Sequence, residues 1–223
     1  MTLKISGIDA KILVLDGFYE DPDRVRHLAL SADYSDSGGL ANFPGLESKS
    51  EYSSQPLINR IQMLTGGPIE YHPRQWAFGK FRISRAEDQA LTDVHVDNTD
   101  WAAIIYLTPD EQSTGGLAVY ANRETGLSCL PEDPAELRSF GCDTLADFDR
   151  KYVAPVSKVA DAWDRLTVVE ARYNRLVLFE GNRVFHGISH LYGVTPRSGR
   201  LSHNFFMNKA DEATAASTKA GLA

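Results

Sequence analysis

From Trp76 onward the chain is written as short β-branched and aromatic runs separated by turn residues, and this pattern constrains the fold more than any other feature. Eight such runs stand out, at residues 76–83, 92–97, 102–108, 116–120, 166–171, 175–179, 184–189 and 199–207. Several short strands at regular spacing make a sandwich or a barrel, and eight is the count of a jelly roll. Residues 121–165 interrupt the series. Asp133-Pro134 starts one short helix there and Asp143 another, with Gly141 between them, so the segment reads as a helical insert. The first 75 residues are mixed: a strand at 11–15, then a helix over 22–33 that Asp21 caps and Pro22 opens, with Val25, Leu28, Ala29 and Ala32 at helical spacing. A Ser- and Gly-rich loop follows at 35–54, turning at Phe43-Pro44-Gly45. A second helix carries Leu57, Ile58, Ile61 and Leu64 and stops at Gly66-Gly67-Pro68. The expected whole is mainly β with flanking helices. It is one domain over 1–208, divided into an N-terminal mixed region (1–75) and a β core (76–208), with a flexible tail at 209–223.

The chain has 223 residues, an ordinary size for one domain. Its formal net charge of −7 disfavours nucleic acid and anionic membrane surfaces as partners. No apolar run approaches a membrane span, and Asp9 and Asp16 bracket the only apolar stretch near the start, unlike a secretory signal. Two cysteines, Cys129 and Cys142, make no disulfide framework, so a reduced cytoplasmic setting is expected. The partner expected is a small molecule, with a homodimer left open.

Two short patterns carry chemistry. In His95-Val96-Asp97 the outer residues are two apart, so on a strand an imidazole and a carboxylate share one face. With one further imidazole they would complete a two-histidine, one-carboxylate set that leaves positions open on iron(II). Alone, His95 reads equally as a hydrogen-bonded strand histidine. In Gly199-Arg200-Leu201-Ser202, alternation puts Arg200, Ser202 and Asn204 on one face and turns Leu201, His203 and Phe205 outward. An inward Arg beside a hydroxyl makes a carboxylate clamp, by a planar fork plus one more hydrogen bond. The bland counterpart is an Arg paired with a structural Asp or Glu.

Taken in order, His95-x-Asp97, a distal His186 after the turn Glu180-Gly181-Asn182, and Arg200-x-Ser202 resemble the iron(II)- and 2-oxoglutarate-dependent dioxygenases. The runs His-Val-Asp-Asn (95–98), Ile-Tyr-Leu-Thr (105–108), Gly-Gly-Leu-Ala-Val-Tyr (115–120) and Gly-Arg-Leu-Ser (199–202) are similar to the prolyl-4-hydroxylase-like branch. The resemblance covers residues 76–208 and leaves 1–75 and the insert unexplained. It implies a double-stranded β-helix, the cupin-like jelly-roll barrel. It implies that His95, Asp97 and His186 bind iron(II), that Arg200 with Ser202 holds the distal carboxylate of 2-oxoglutarate, and that Tyr106 touches this cosubstrate. Hydroxylation of a small molecule, such as an amino acid or natural-product intermediate, would consume dioxygen and release succinate and carbon dioxide. Asp97 disfavours halogenation, since halogenating relatives carry a small residue there.

One departure is the gap from His186 to Arg200, which is longer than in the nearest hydroxylase pattern and leaves Arg197 as a rival clamp. Arg200 is preferred because a strand fixes its direction, whereas Pro196 puts Arg197 in a loop. Trp76 and Trp101 are candidates for substrate-pocket walls or for core, with Trp101 the better pocket candidate. Arg82, Arg85, Arg183 and Arg197 are candidates for meeting an anionic substrate, or are solvated surface. The loop 35–54 and the insert are candidate lids. Two other readings stand beside the oxygenase: a cupin-like binding protein without turnover, and an iron oxygenase that does not use 2-oxoglutarate.

Overall fold

The computed structural model describes residues 2–5, 8–36, 38–39, 41–72 and 75–210. The strands are β1 (Thr2–Leu3), β2 (Ile12–Leu15), β3 (Tyr34–Asp36), β4 (Leu46–Ser48), β5 (Ile69–Glu70), β6 (Lys80–Ser84), β7 (Trp101–Tyr106), β8 (Gly116–Asn122), β9 (Trp163–Glu170), β10 (Leu176–Phe179), β11 (His186–Ile188) and β12 (Arg200–Lys209). The α-helices are α1 (Pro22–Leu30), α2 (Gln55–Thr65), α3 (Pro134–Ser139) and α4 (Leu145–Phe148). All strand pairs are antiparallel. They form a large sheet in the order β1-β2-β10-β7-β12-β6-β4-β3, with β5 added to β12, and a small sheet in the order β11-β8-β9.

Alternation along β7 and β12 explains how the layers stack. Even positions (Ala102, Ile104 and Tyr106, with Val177 and Phe179 from β10) face the small sheet and pack with its Leu117, Val119 and Val169. Odd positions (Trp101, Ala103, Ile105, Leu201, Phe205 and Met207) face the other way and pack with Phe18, Ala29, Ile58 and Ile61 of the N-terminal region. Every residue of β7 is therefore buried, and its sequence reads as an unbroken apolar run. The helical insert packs Leu137, Phe148 and Val153 against Trp163 at the start of β9 and against Val94 and Phe185.

The helix signals agree with the sequence. The Asp21 carboxylate accepts from the Arg24 N–H at 3.0 Å with Pro22 in the first turn, and α2 ends at Gly66 in the left-handed region at φ 87°. Several expectations need correction. Residues 92–97 form no strand: only an isolated bridge joins His95 to His186. The Ser157 hydroxyl of the insert instead accepts from the Asp93 N–H at 3.0 Å and donates to the Val94 carbonyl at 2.7 Å, occupying groups that a ladder would use. The loop 35–54 contains β3 and β4, which extend the large sheet beyond β6. The ends of the insert belong to β8 and β9. His203 does face outward from the barrel but is buried, because α1, α2 and the Phe18-Tyr19 turn cover that face; its Nδ1 lies 2.7 Å from the Tyr19 hydroxyl. Of the expected tail, residues 211–223 lie outside the described residues. Among the described residues no helix is long and apolar enough to cross a membrane.

Candidate metal centre

Two backbone ladders meet at the site. β11 pairs with β8, with His186 opposite Val119, and on its free side exchanges two hydrogen bonds with His95: His95 N–H to His186 carbonyl and His186 N–H to His95 carbonyl, each 3.0 Å. This reciprocal pair sets the imidazoles side by side, with ring centroids 4.5 Å apart. Two residues on, the Asp97 N–H donates to the Gly181 carbonyl at 2.8 Å, which draws the Asp97 carboxylate against the turn 180–183. Gly181 is needed there for space: a Cβ would sit 2.4 Å from Asp97 Oδ2.

The outcome is three electron-pair donors facing one another. His95 Nε2 lies 3.7 Å from Asp97 Oδ1, and His186 Nε2 lies 3.4 Å from Asp97 Oδ2. One ligand atom from each residue falls within 4.8 Å of the others. The His186 Nδ1–H donates to the Val184 carbonyl at 2.8 Å, so Nε2 is left with a bare lone pair aimed at the carboxylate. Burial pulls both imidazoles down to about 4, and for His95 the neighbouring His186 adds to this while Asp97 opposes it. Both are neutral near pH 7. Burial pushes the Asp97 carboxyl above the usual carboxylate range, against the pull of His95 and Arg82. Asp97 Oδ2 is buried with no hydrogen-bond partner among the described residues. Two neutral acceptors and a carboxylate without a donor among them form a cluster that a cation satisfies. The separations are too long for hydrogen bonds, but close to the ~3 Å between ligands bound at about 2.1 Å to one ion. The three residues fit a metal ion.

These ionisation states set a pH dependence. Because the folded imidazoles titrate near 4 and unfolded ones near 6.5, acidification through that window loads protons on the unfolded chain first and lowers stability. Asp97 works the other way, its contribution being present at low pH and lost as pH rises through its raised value. A divalent ion removes the cost of the ionised carboxylate. Added zinc or manganese should therefore raise the melting temperature at pH 7, with the increment shrinking as pH approaches about 4, where protons take the imidazoles. Thermal melts with and without metal across that range test this; an increment that does not change with pH would count against these ligands.

The triad opens into a cavity of about 720 Å³ between the sheets, lined also by Trp76, Arg82, Ile104, Leu117, Phe179 and Arg200. Arg200 is buried and points into it from the first position of β12. Its Nη1 donates to Ser202 Oγ at 3.2 Å, its guanidinium lies 5.1 Å from the centre of the Tyr106 ring, and its Nε has no partner. Among the described residues no carboxylate pairs with it, so the structural-acid alternative has no partner here. Ser202 and Tyr106 are both buried beside Arg200 and are not part of the cavity wall.

The remaining sequence candidates divide. Trp76 is in the cavity wall. Trp101 is not: odd-numbered on β7, it faces the N-terminal side, with Lys209 Nζ 5.7 Å from its ring. Arg197 is exposed in a loop, where its carbonyl accepts from Arg26 Nη2 at 3.1 Å, and it does not reach the cavity. Of the two candidate lids, the loop contributes Asn42, Phe43 and Pro44 to the wall and the insert only Lys158. Ser157 and Gly181 position the candidate ligands; the sequence marks Gly181 as a turn residue, but nothing in it joins either one to residues 93–97, which are distant along the chain.

An antiparallel β sandwich with a partly buried, open-sided two-histidine, one-carboxylate cluster defines the chain as a candidate mononuclear metalloprotein. It belongs to a family of unknown function, DUF6445, whose sequence profile matches residues 2–207. No curated protein matches. Among solved structures it is similar to the selenomethionine-labelled Fe(II)/(alpha)ketoglutarate-dependent dioxygenase TqaL, at 11% identity over 91% of this chain and 84% of that one, with a TM-score of 0.45.

Proposed function

We propose that this protein is an iron(II)- and 2-oxoglutarate-dependent oxygenase that oxidises, most simply hydroxylates, a C–H bond of a small molecule such as an amino acid or natural-product intermediate. The observation that carries this reading is the coexistence, in one cavity, of three converging metal-ligand atoms and a buried guanidinium that pairs with no acid among the described residues. The motif order of the prolyl-4-hydroxylase-like branch supports it, and the two packed sheets are read as a double-stranded β-helix.

His95, Asp97 and His186 would hold the ion on one side, leaving the cavity side for exogenous ligands. Iron(II) bound there would supply dioxygen activation coupled to oxidative decarboxylation of 2-oxoglutarate. The protein's part is orientation and exclusion of water. The Val184 carbonyl fixes the His186 tautomer, Gly181 seats the Asp97 carboxylate, and Ser202 and the Tyr106 ring hold the Arg200 guanidinium for a carboxylate. Ile104, Leu117 and Phe179 keep the space between these groups apolar.

Anaerobic titration tests the reading. Iron(II) and 2-oxoglutarate together should give a weak visible charge-transfer band that neither gives alone, and aerobic samples should release succinate. Iron binding without a 2-oxoglutarate complex would favour an oxygenase of another kind; no binding of either would leave a barrel that only binds. Arg200→Ala should raise the 2-oxoglutarate concentration required by about 30-fold or more, the effect of ~2 kcal/mol lost from a buried charge pair, with iron still bound. Arg197→Ala should change nothing. The reverse pattern moves the clamp to Arg197.

A further inference from the structure

Arg82 is the second guanidinium in the same cavity, and its surroundings differ from those of Arg200. On β6 it faces inward, while Phe81 and Ile83 face the N-terminal core. The register pairs Arg82 with Ser202 and Ser84 with Arg200, so the two arginines are diagonal neighbours on adjacent strands. The Arg82 guanidinium lies 3.8 Å from the centre of the Phe43 ring and 5.2 Å from that of Phe206. Rings against a guanidinium occupy its faces and leave hydrogen bonding to its edges. Its Nε donates to Glu47 Oε2 at 2.8 Å. Among the described residues Nη1 and Nη2 have no hydrogen-bond partner, and they are not among the fully buried orphan atoms. A planar fork is thus held on its faces by aromatic rings, tied at Nε, and left with its outer nitrogens open to the cavity.

We infer that Arg82 binds a carboxylate of the substrate, and that the substrate class is a small carboxylate-bearing molecule with an apolar or aromatic body. This rests on the oxygenase reading only for the word substrate; the binding site itself does not need the metal. A carboxylate matches the two-nitrogen edge of a guanidinium. Phe43 and Phe206 beside it, with Trp76 elsewhere in the cavity wall, suit an apolar body. Glu47 partly neutralises Arg82, whereas among the described residues Arg200 has no acid beside it. The lone charge suits a dianionic cosubstrate and the tempered one a ligand that must leave after each turnover.

The test is a binding measurement on the metal-free full chain, without 2-oxoglutarate. The probes are 3-phenylpropanoate and 3-phenylpropanamide, followed by quenching of Trp76, the cavity tryptophan, and by calorimetry. The carboxylate should bind saturably and at least tenfold tighter than the amide. Arg82→Met should weaken it at least tenfold, and Arg197→Met, at an exposed position outside the cavity, less than twofold. Glu47→Gln keeps the size and a hydrogen-bond acceptor while freeing the guanidinium charge, so it should tighten the carboxylate severalfold, and it serves if Arg82→Met does not fold. Equal affinity for both probes, no saturable binding, loss in Arg197→Met with retention in Arg82→Met, or weaker binding in Glu47→Gln each overturns the inference. Failure of the oxygenase reading would register instead in the iron and succinate measurements, which this assay does not use.

Discussion

His186→Ala should eliminate metal binding while leaving the protein folded. The imidazole contributes one of three ligand atoms, and the other two, from His95 and Asp97, lie 3.7 Å apart on one short segment and cannot enclose an ion. Loss of a partner that merely orients a ligand costs about 10–100-fold in metal affinity. Loss of a ligand itself should exceed that. The fold should tolerate the change, because β11 is held by backbone pairing with β8 and by the reciprocal bonds to His95, neither of which uses the side chain. The truncation leaves the Val184 carbonyl without its Nδ1–H donor, a cost of about 1–3 kcal/mol. Metal content after dialysis, read beside a circular-dichroism melt, separates the two effects. A variant that keeps stoichiometric iron would remove His186 from the site.

Gly181→Ala should come close to the same loss without touching a ligand. The added methyl would lie 2.4 Å from Asp97 Oδ2, inside any allowed contact, and 3.1 Å from its Cγ, a tight one. Gly181 is pinned on both sides, its N–H donating to the Asp100 carbonyl at 3.0 Å and its carbonyl accepting from Asp97 N–H, so the turn cannot easily step back. The carboxylate must move instead. Metal affinity should fall at least tenfold, while overpacking costs about 1–3 kcal/mol of stability. A neighbouring change, Asn182→Ala, is the control: its amide donates to Asp100 rather than to the metal cluster, and it should leave affinity within twofold. If Gly181→Ala binds iron as the parent does, the carboxylate is not held where the structure holds it.

The ligand set could be read from residue order because each member belongs to a short local pattern. His95-x-Asp97 and Arg200-x-Ser202 are spacings of two, and the turn before His186 is marked by Gly181. The side chains of the first pattern do converge, although the strand assumed for it is not formed. Asp97 converges with His95 because Ser157, His186 and Gly181 each bind the backbone of residues 93–97, and none of those partners is near it in the chain. The strands β3 and β4 were missed for a related reason. They are three residues long and hold their place by pairing at the edge of β6, so tertiary contact rather than local propensity forms them.

The direction of Trp101 shows how strand ends mislead. One residue decides whether a side chain enters the barrel or leaves it, and β7 begins with Trp101 outward. His203 was assigned its side of the strand but not its surroundings, since alternation reports a face and not what lies over it.

What the amino-acid order determined alone was periodicity: which residues share a face, where helices start and stop, and that donors of the right chemistry recur at short spacings. Proximity across the chain was decided only on folding. The bridge between residues 95 and 186, the pairing that sets Arg82 beside Arg200, and the aromatic clamp on Arg82 each join segments dozens of residues or more apart, and pattern along a chain carries no information about which distant faces will meet.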